Sequence, residues 1–126
     1  TVSPQGQTFA IKYAQYMGRW PEAHAFAAYD SVYLIADALE RSSTPTGPDV
    51  IAALRLANVT LAAGRYHFPY TADKPPDGVT APDFMWQQWP DAPMLYLQYA
   101  EPGQPANEMP VIWPQIYRTA DAPVIR

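Results

Sequence analysis

Hydrophobic residues in the first part of the chain repeat at helical spacing. One stripe recurs at positions i, i+4, i+7 and i+8 of an amphipathic helix: Phe9, Tyr13, Tyr16 and Met17. Ser3 and Pro4 suit a helix cap followed by a first helical residue, and Gly18 suits the position just after a helix end. The pattern therefore predicts a first helix over residues 4–17.

A second, longer helix is predicted over residues 24–42, which contain no Gly or Pro and are rich in Ala and Leu. Its apolar residues lie nearly all round the helix, which is typical of a helix wedged between other elements. Tyr29 and Asp30 are interpreted as structural, with Asp30 stabilising the positive end of the helix.

A capping box is predicted at Thr46–Asp49, with Pro48 inside the first turn of a third helix that ends near Asn58. Apolar residues then alternate, which is typical of strands. The predicted strands are 59–61, 65–68, 84–89, 93–99 and 111–113, with a loop rich in Pro, Asp and Gly at 71–83. The expected order is a helical part over 1–58, then strands and Pro-rich loops over 59–126.

The composition indicates a folded chain of one domain's length, 126 residues with 48% hydrophobic residues and 15 prolines. The net charge of −4 and the scattered Lys and Arg residues exclude the basic surface that nucleic-acid binding needs. Cysteine is absent, and no apolar run approaches the roughly 20 residues of a membrane-spanning helix. The start at Thr1, without Met or leader, leads us to expect a processed product or an excised segment.

Catalytic motifs are absent from the sequence, so we expect no enzyme activity. There is no Gly-x-Ser-x-Gly nucleophile turn and no Gly-rich phosphate loop. Neither His24 nor His67 has a partner at metal-ligand spacing, so neither a metal nor a cofactor is expected. His67 is predicted to face solvent, on the opposite side of its strand from Tyr66 and Phe68.

An ordered set of residues resembles the carboxy-terminal third of type I periplasmic solute-binding proteins, nearest to the branched-chain amino acid receptors of ABC transporters. The matching residues are Phe9, Tyr13, Gly18, Pro21, Ala28, Tyr29, Asp30, Ala36, Ala38, Ala53, Leu54, Gly64, Tyr66 and Phe68, followed by residues 111–114. The Trp-rich stretch at 86–90 is not typical of the leucine-binding members, so the solute is left open.

The resemblance implies an α/β fold, with this chain as a fragment of a two-lobe receptor: three helices followed by several short strands. Such a receptor binds a small solute, such as an amino acid, amide or aromatic acid, and delivers it to a membrane permease. It would be periplasmic or extracellular, soluble or lipid-anchored. A fragment with open strand edges and an uncovered helix face would self-associate.

Two ligand-binding candidates follow from the resemblance, which places the loop before the second helix beside the cleft. His24 would offer an imidazole for hydrogen bonding, or else be a surface residue at the helix start. Phe26 would face the cleft, or else continue the core stripe of Tyr29 and Tyr33.

An alternative function is a self-contained aromatic-faced module that binds carbohydrate or peptide. Its platform would be formed by strand aromatics: Trp86, Trp89, Tyr96, Tyr99 and Trp113. Exposure of both Trp86 and Trp89 would favour this alternative, whereas their burial would favour a structural role.

Overall fold

The structure is a computed structural model that describes residues 2–70, 88–90 and 92–120. It contains two compact units, Thr1–Ala92 and Pro93–Arg126, called here the first and second units. The predicted loop at 71–83 and most of the predicted strand at 84–89, Trp86 included, lie outside the described residues. The predicted order of helices first and strands last is confirmed, and the fold is a small α/β arrangement.

Three helices precede two short antiparallel sheets. The helices are α1 (Pro4–Met17), α2 (Ala23–Arg41) and α3 (Gly47–Arg55). The strands are β1 (Asn58–Thr60), β2 (Arg65–His67), β3 (Tyr96–Leu97) and β4 (Val111–Trp113), with single 3₁₀ turns at Ala106–Glu108 and Gln115–Tyr117. The helices and the β1–β2 hairpin belong to the first unit, and β3 and β4 belong to the second.

Both ends of α1 are formed as the sequence predicts. Ser3 is extended and its Oγ accepts a hydrogen bond of 2.9 Å from the Gly6 N–H, which satisfies one free donor of the first turn. Gly18 adopts a left-handed conformation with φ 68° and donates its N–H to the Ala14 carbonyl. Glycine suits this position because a left-handed residue with a Cβ is strained.

The predicted capping box of α3 is wrong, although Pro48 does lie in the first turn. The Thr46 side chain makes no capping bond, and its hydroxyl lies 3.1 Å from that of Thr44. The Thr44 hydroxyl donates to the Asp49 carboxylate. The earlier threonine therefore takes the acidic partner that a capping box would use.

The β1–β2 hairpin pairs Val59 with Tyr66 and closes through the loop of residues 61–64, where the Leu61 N–H donates to the Gly64 carbonyl at 2.8 Å. This loop, called here the hairpin loop, is held by side chains of both α1 and α2. The Ser3 hydroxyl lies 3.0 Å from the carbonyl oxygens of both Leu61 and Ala62. The cap of α1 is therefore also its attachment to the hairpin.

Asp30 holds the amide side of the same loop. Its side chain is fully buried, and its two carboxylate oxygens accept the N–H groups of Ala62 at 2.8 Å and Ala63 at 2.7 Å. The Tyr66 hydroxyl donates a third bond, of 3.0 Å. The interpretation of Asp30 as a charge serving its own helix end was wrong, because Asp30 lies two turns into α2 and its partners belong to the hairpin.

Small side chains dominate the core of the first unit. Apart from Tyr66, the buried hydrophobic residues among those described are all alanines: Ala10, Ala38, Ala53, Ala57 and Ala62. Alanine lets backbones approach closely but removes little apolar area from water. Polar links therefore matter here, including the Arg41 guanidinium, which bonds Asp37 on its own helix and the Ala53 carbonyl on α3.

The second unit is built on the β3–β4 pair, in which Tyr96 lies opposite Trp113 and Leu97 opposite Val111, with an irregular register. The predicted strand at 93–99 shortens to two residues. The Gln98 N–H still donates to the Pro110 carbonyl, at 3.2 Å, but Pro110 has no N–H to return a bond. On the other side of β4, Val111 and Thr119 exchange two hydrogen bonds.

The Asp30 clamp predicts a large stability difference between two equivalent substitutions on α2. Asp30→Asn puts an amide NH₂ against the hairpin loop donors and should lower the free energy of unfolding by about 3 kcal/mol. Asp37→Asn, at an ion pair about one-third exposed, should cost less than about 1 kcal/mol. Urea unfolding followed by circular dichroism measures both, and equal losses would contradict the clamp.

Tyr66 predicts a loss of stability at high pH. Burial, and then the charge and hydrogen bond of Asp30, raise the pKa of Tyr66 well above its ordinary value. The unfolded chain loses this proton near pH 10 whereas the folded chain keeps it. The free energy of unfolding should therefore fall by about 1.4 kcal/mol per pH unit above pH 10 because of this group.

Urea titrations between pH 8 and pH 11 measure that slope for the wild type and two variants. Tyr66→Phe should be less stable at pH 8 and should show a shallower decline. Tyr16→Phe is the matched control, since Tyr16 is 89% exposed. A slope that persists unchanged in Tyr66→Phe would refute the assignment.

Candidate functional site

The start of α2 carries His24, the first of the two predicted ligand-binding residues. His24 is exposed in the first turn. The cap residue Glu22 makes no side-chain bond to the helix, and its carboxylate instead pairs with Arg19 at 2.9 Å on the surface. The first N–H groups of α2 thus lack a side-chain cap, and His24 offers an imidazole that can donate or accept beside them.

Phe26 lies in an aromatic cluster that joins α1 to α2. The cluster consists of Phe9, Tyr13, Phe26, Tyr29 and Tyr33. Phe26 is half-buried and meets Phe9 edge to face, with ring centroids 4.9 Å apart. The structure therefore gives Phe26 the packing role that was one of its two interpretations.

His24 and Phe26 do not face the same way. Residues two positions apart in an α-helix differ by about 200° around its axis, and the side of α2 that carries Phe26 is turned toward α1. Neither residue lines either of the two cavities described below. The two predicted ligand-binding residues therefore do not form one site on a common face of α2.

Tyr29 and Tyr33 form the exposed end of the aromatic cluster. Their rings lie 4.8 Å apart, and their residues are 38% and 49% exposed. A hydrogen bond with Tyr33 raises the pKa of the Tyr29 hydroxyl, and partial burial adds to the effect. Their phenol rings are suited to hydrogen bonding and stacking.

His67 borders a cavity of about 330 Å³, formed by residues 55–58 and 67–69. The His67 side chain is half-buried rather than fully solvent-facing. Arg55, which was not among the predicted site residues, lines the same cavity from the last turn of α3. A basic residue in a last helical turn is ordinary in sequence terms, so no local signal distinguishes it.

Trp89 does not form an open platform. Its ring stacks on Tyr66 with centroids 4.0 Å apart, and its Nε1–H donates to the Arg65 carbonyl at 2.7 Å. In the second unit, by contrast, Tyr96 and Trp113 meet edge to face and are each 55% exposed. That unit also has an open hollow of about 370 Å³ beside Arg118.

Within residues 2–70, 88–90 and 92–120, no three His, Asp or Glu side chains form a group that could hold a metal ion. No helix in the same ranges has the length and apolarity to cross a membrane.

Comparison with known proteins found no family model, no curated protein and no solved structure that matches the chain. Its function must therefore be inferred from its own residues and geometry.

Proposed function

We propose that the chain is the carboxy-terminal part of a type I solute-binding receptor of an ABC transporter. The receptor binds a small solute, such as an amino acid, amide or aromatic acid, between two lobes and delivers it to a membrane permease. In this proposal the protein is a binding protein and not an enzyme, and it acts in the periplasm or outside the cell, soluble or lipid-anchored.

The positions of the family-like residues support the proposal. Gly18 ends α1, Ala28–Asp30 lie within α2, and Gly64 and Tyr66 lie in the hairpin that follows α3. Asp30 and Tyr66, which belong to separate parts of the resemblance, contact each other directly. The resemblance thus corresponds to a packed set of elements and not only to an order along the chain.

The observation that carries the proposal is the second apolar face of α2. Asp30 and Ala38 are buried on one side of this helix. The other side exposes a continuous apolar strip: Ala28, Val32, Ile35, Ala36 and Leu39. Val32, Ile35 and Leu39 are 67%, 50% and 44% exposed, which is the pattern of a helix that packs against a further layer.

A lobe of a two-lobe receptor supplies that layer, because its helices cover a central parallel sheet. The solute would lie between the lobes, where His24 at the open start of α2 can hydrogen-bond a polar group. Solute binding would favour the closed arrangement, and the permease would recognise that closed form.

The exposed strip, called here the outer face of α2, predicts self-association of the isolated chain. We expect light scattering to show dimers or larger species as concentration rises, because apolar surface is removed from water. Ile35→Glu should shift the chain toward monomer. Ile116→Glu, which places the same change at a 79% exposed site in the second unit, serves as the matched control.

A chain that stayed monomeric at high concentration would count against a missing layer. Equal effects of Ile35→Glu and Ile116→Glu would show that the association is not specific to the outer face of α2.

Solute binding is tested on the complete product of the gene that encodes this chain. We expect one member of a panel of amino acids, amides and aromatic acids to raise the melting temperature, since a ligand at 100 times its Kd adds about 2.7 kcal/mol. His24→Ala should raise the Kd about three- to tenfold by removing one hydrogen bond. Lys12→Ala, at an exposed site on α1, should leave the Kd unchanged.

Failure of every amino acid, amide and aromatic acid in the panel would refute the receptor proposal.

Oligosaccharides and a proline-rich peptide are added to the panel because exposed Tyr96 and Trp113 favour the second candidate, an aromatic-faced carbohydrate- or peptide-binding module. A stabilising effect only from these, lost in Trp113→Ala, would select the second candidate.

A further inference from the structure

A cavity of about 330 Å³ lies where α3 leads into the hairpin. Its polar lining comes from Arg55, Asn58 and His67, and its apolar lining includes Leu56, Phe68 and Pro69. The volume is at the small end of the range for ligand pockets in proteins. All of the described lining residues belong to the first unit, and they include neither His24 nor Phe26.

Arg55 is the unusual member of this lining. Its Nε–H is buried and finds no hydrogen-bond acceptor among the residues that the structure describes. The other arginines of the first unit are engaged: Arg19 with Glu22, Arg41 with Asp37, and Arg65 with Asn58. A buried donor of a charged group ordinarily has a partner, and within the described part of the chain this one has none.

The position of Arg55 in the last turn of α3 does not account for this orphan donor. A basic side chain there can interact with the negative end of the helix by donating to its last carbonyls. The Nε–H makes no such bond. Capping therefore does not satisfy this donor.

The neighbouring strand residues add polar groups on the same cavity. Asn58 and His67 lie opposite each other in the β1–β2 register. The Asn58 Oδ1 accepts from Arg65 Nε at 2.9 Å, and the NH₂ group of the same amide carries two donors. A guanidinium with an amide group nearby and apolar walls matches a carboxylate attached to a small hydrophobic body.

We propose that this cavity binds a small organic monocarboxylate, called here the carboxylate site. The Arg55 guanidinium recognises the anion through two of its N–H groups, and the Asn58 amide contributes a further donor. The hydrophobic body of the ligand packs on Leu56, Phe68 and Pro69. The site is separate from the solute position at His24 in the receptor proposal, so either can hold without the other.

Titration of the full chain with benzoate, followed by isothermal calorimetry and by amide NMR shifts, tests the site. We expect saturable binding, with the largest amide shifts at residues 55–58 and 67–68. Benzamide has the same shape without the charge and should bind at least tenfold more weakly. Inorganic phosphate should not compete with benzoate.

Arg55→Gln should raise the Kd for benzoate at least tenfold. Arg55→Lys, which keeps the charge but loses the Nε–H, should fall between that variant and the wild type. Arg19→Gln is the matched control, because Arg19 is an exposed arginine already paired with Glu22, and it should bind as the wild type does.

Unchanged binding in Arg55→Gln, equal binding of benzamide, or preference for phosphate would each overturn the proposal, as would no benzoate binding at millimolar concentration. Should Arg55→Gln fail to fold, Asn58→Ala and the benzoate-to-benzamide ratio of the wild type decide the question. A ratio near one would then overturn the carboxylate site.

Discussion

The first unit depends on one carboxylate that is removed from water and given three donors in return. Asp30 accepts two backbone N–H groups of the hairpin loop and the Tyr66 hydroxyl, while the Ser3 hydroxyl serves the carbonyl side of the same loop. Burying a charge is costly unless it is fully hydrogen-bonded, and here the bonds are short and the charge is fully enclosed. The alanine-rich core removes little apolar surface from water, so these directional bonds decide how α1, α2 and the hairpin fit together.

The same clamp determines which side of α2 is left outside. With the Asp30 side turned to the hairpin, the opposite strip from Ala28 to Leu39 must face outward. The aromatic cluster extends this arrangement to α1 through Phe9 and Phe26. The outer face of α2 and the position of His24 are therefore consequences of one buried interaction, and the receptor proposal relies on both.

Local patterns in the sequence were enough to predict α1 with both of its ends, most of α2, and the two strands of the hairpin, because helical and strand periods need no distant partner. The role of Asp30 could not be predicted, since the groups that donate hydrogen bonds to its carboxylate lie 32 to 36 positions away. The capping box failed because Thr44 competes with Thr46 for Asp49. The separation of His24 from Phe26 was readable from helical spacing, whereas the orphan Nε–H of Arg55 required the packed structure.

The long sequence separation of the two loop contacts has a consequence for synthesis on the ribosome. Ser3 reaches a carbonyl 59 positions ahead, and Asp30 reaches an amide 32 positions ahead. When α1 and α2 leave the exit tunnel, the hairpin loop is still inside it, so Asp30 remains hydrated and the helices have only their aromatic contacts. Emergence of residue 66 from the tunnel therefore sets the earliest moment at which the first unit can acquire its native order, and until then its apolar helix surfaces stay uncovered.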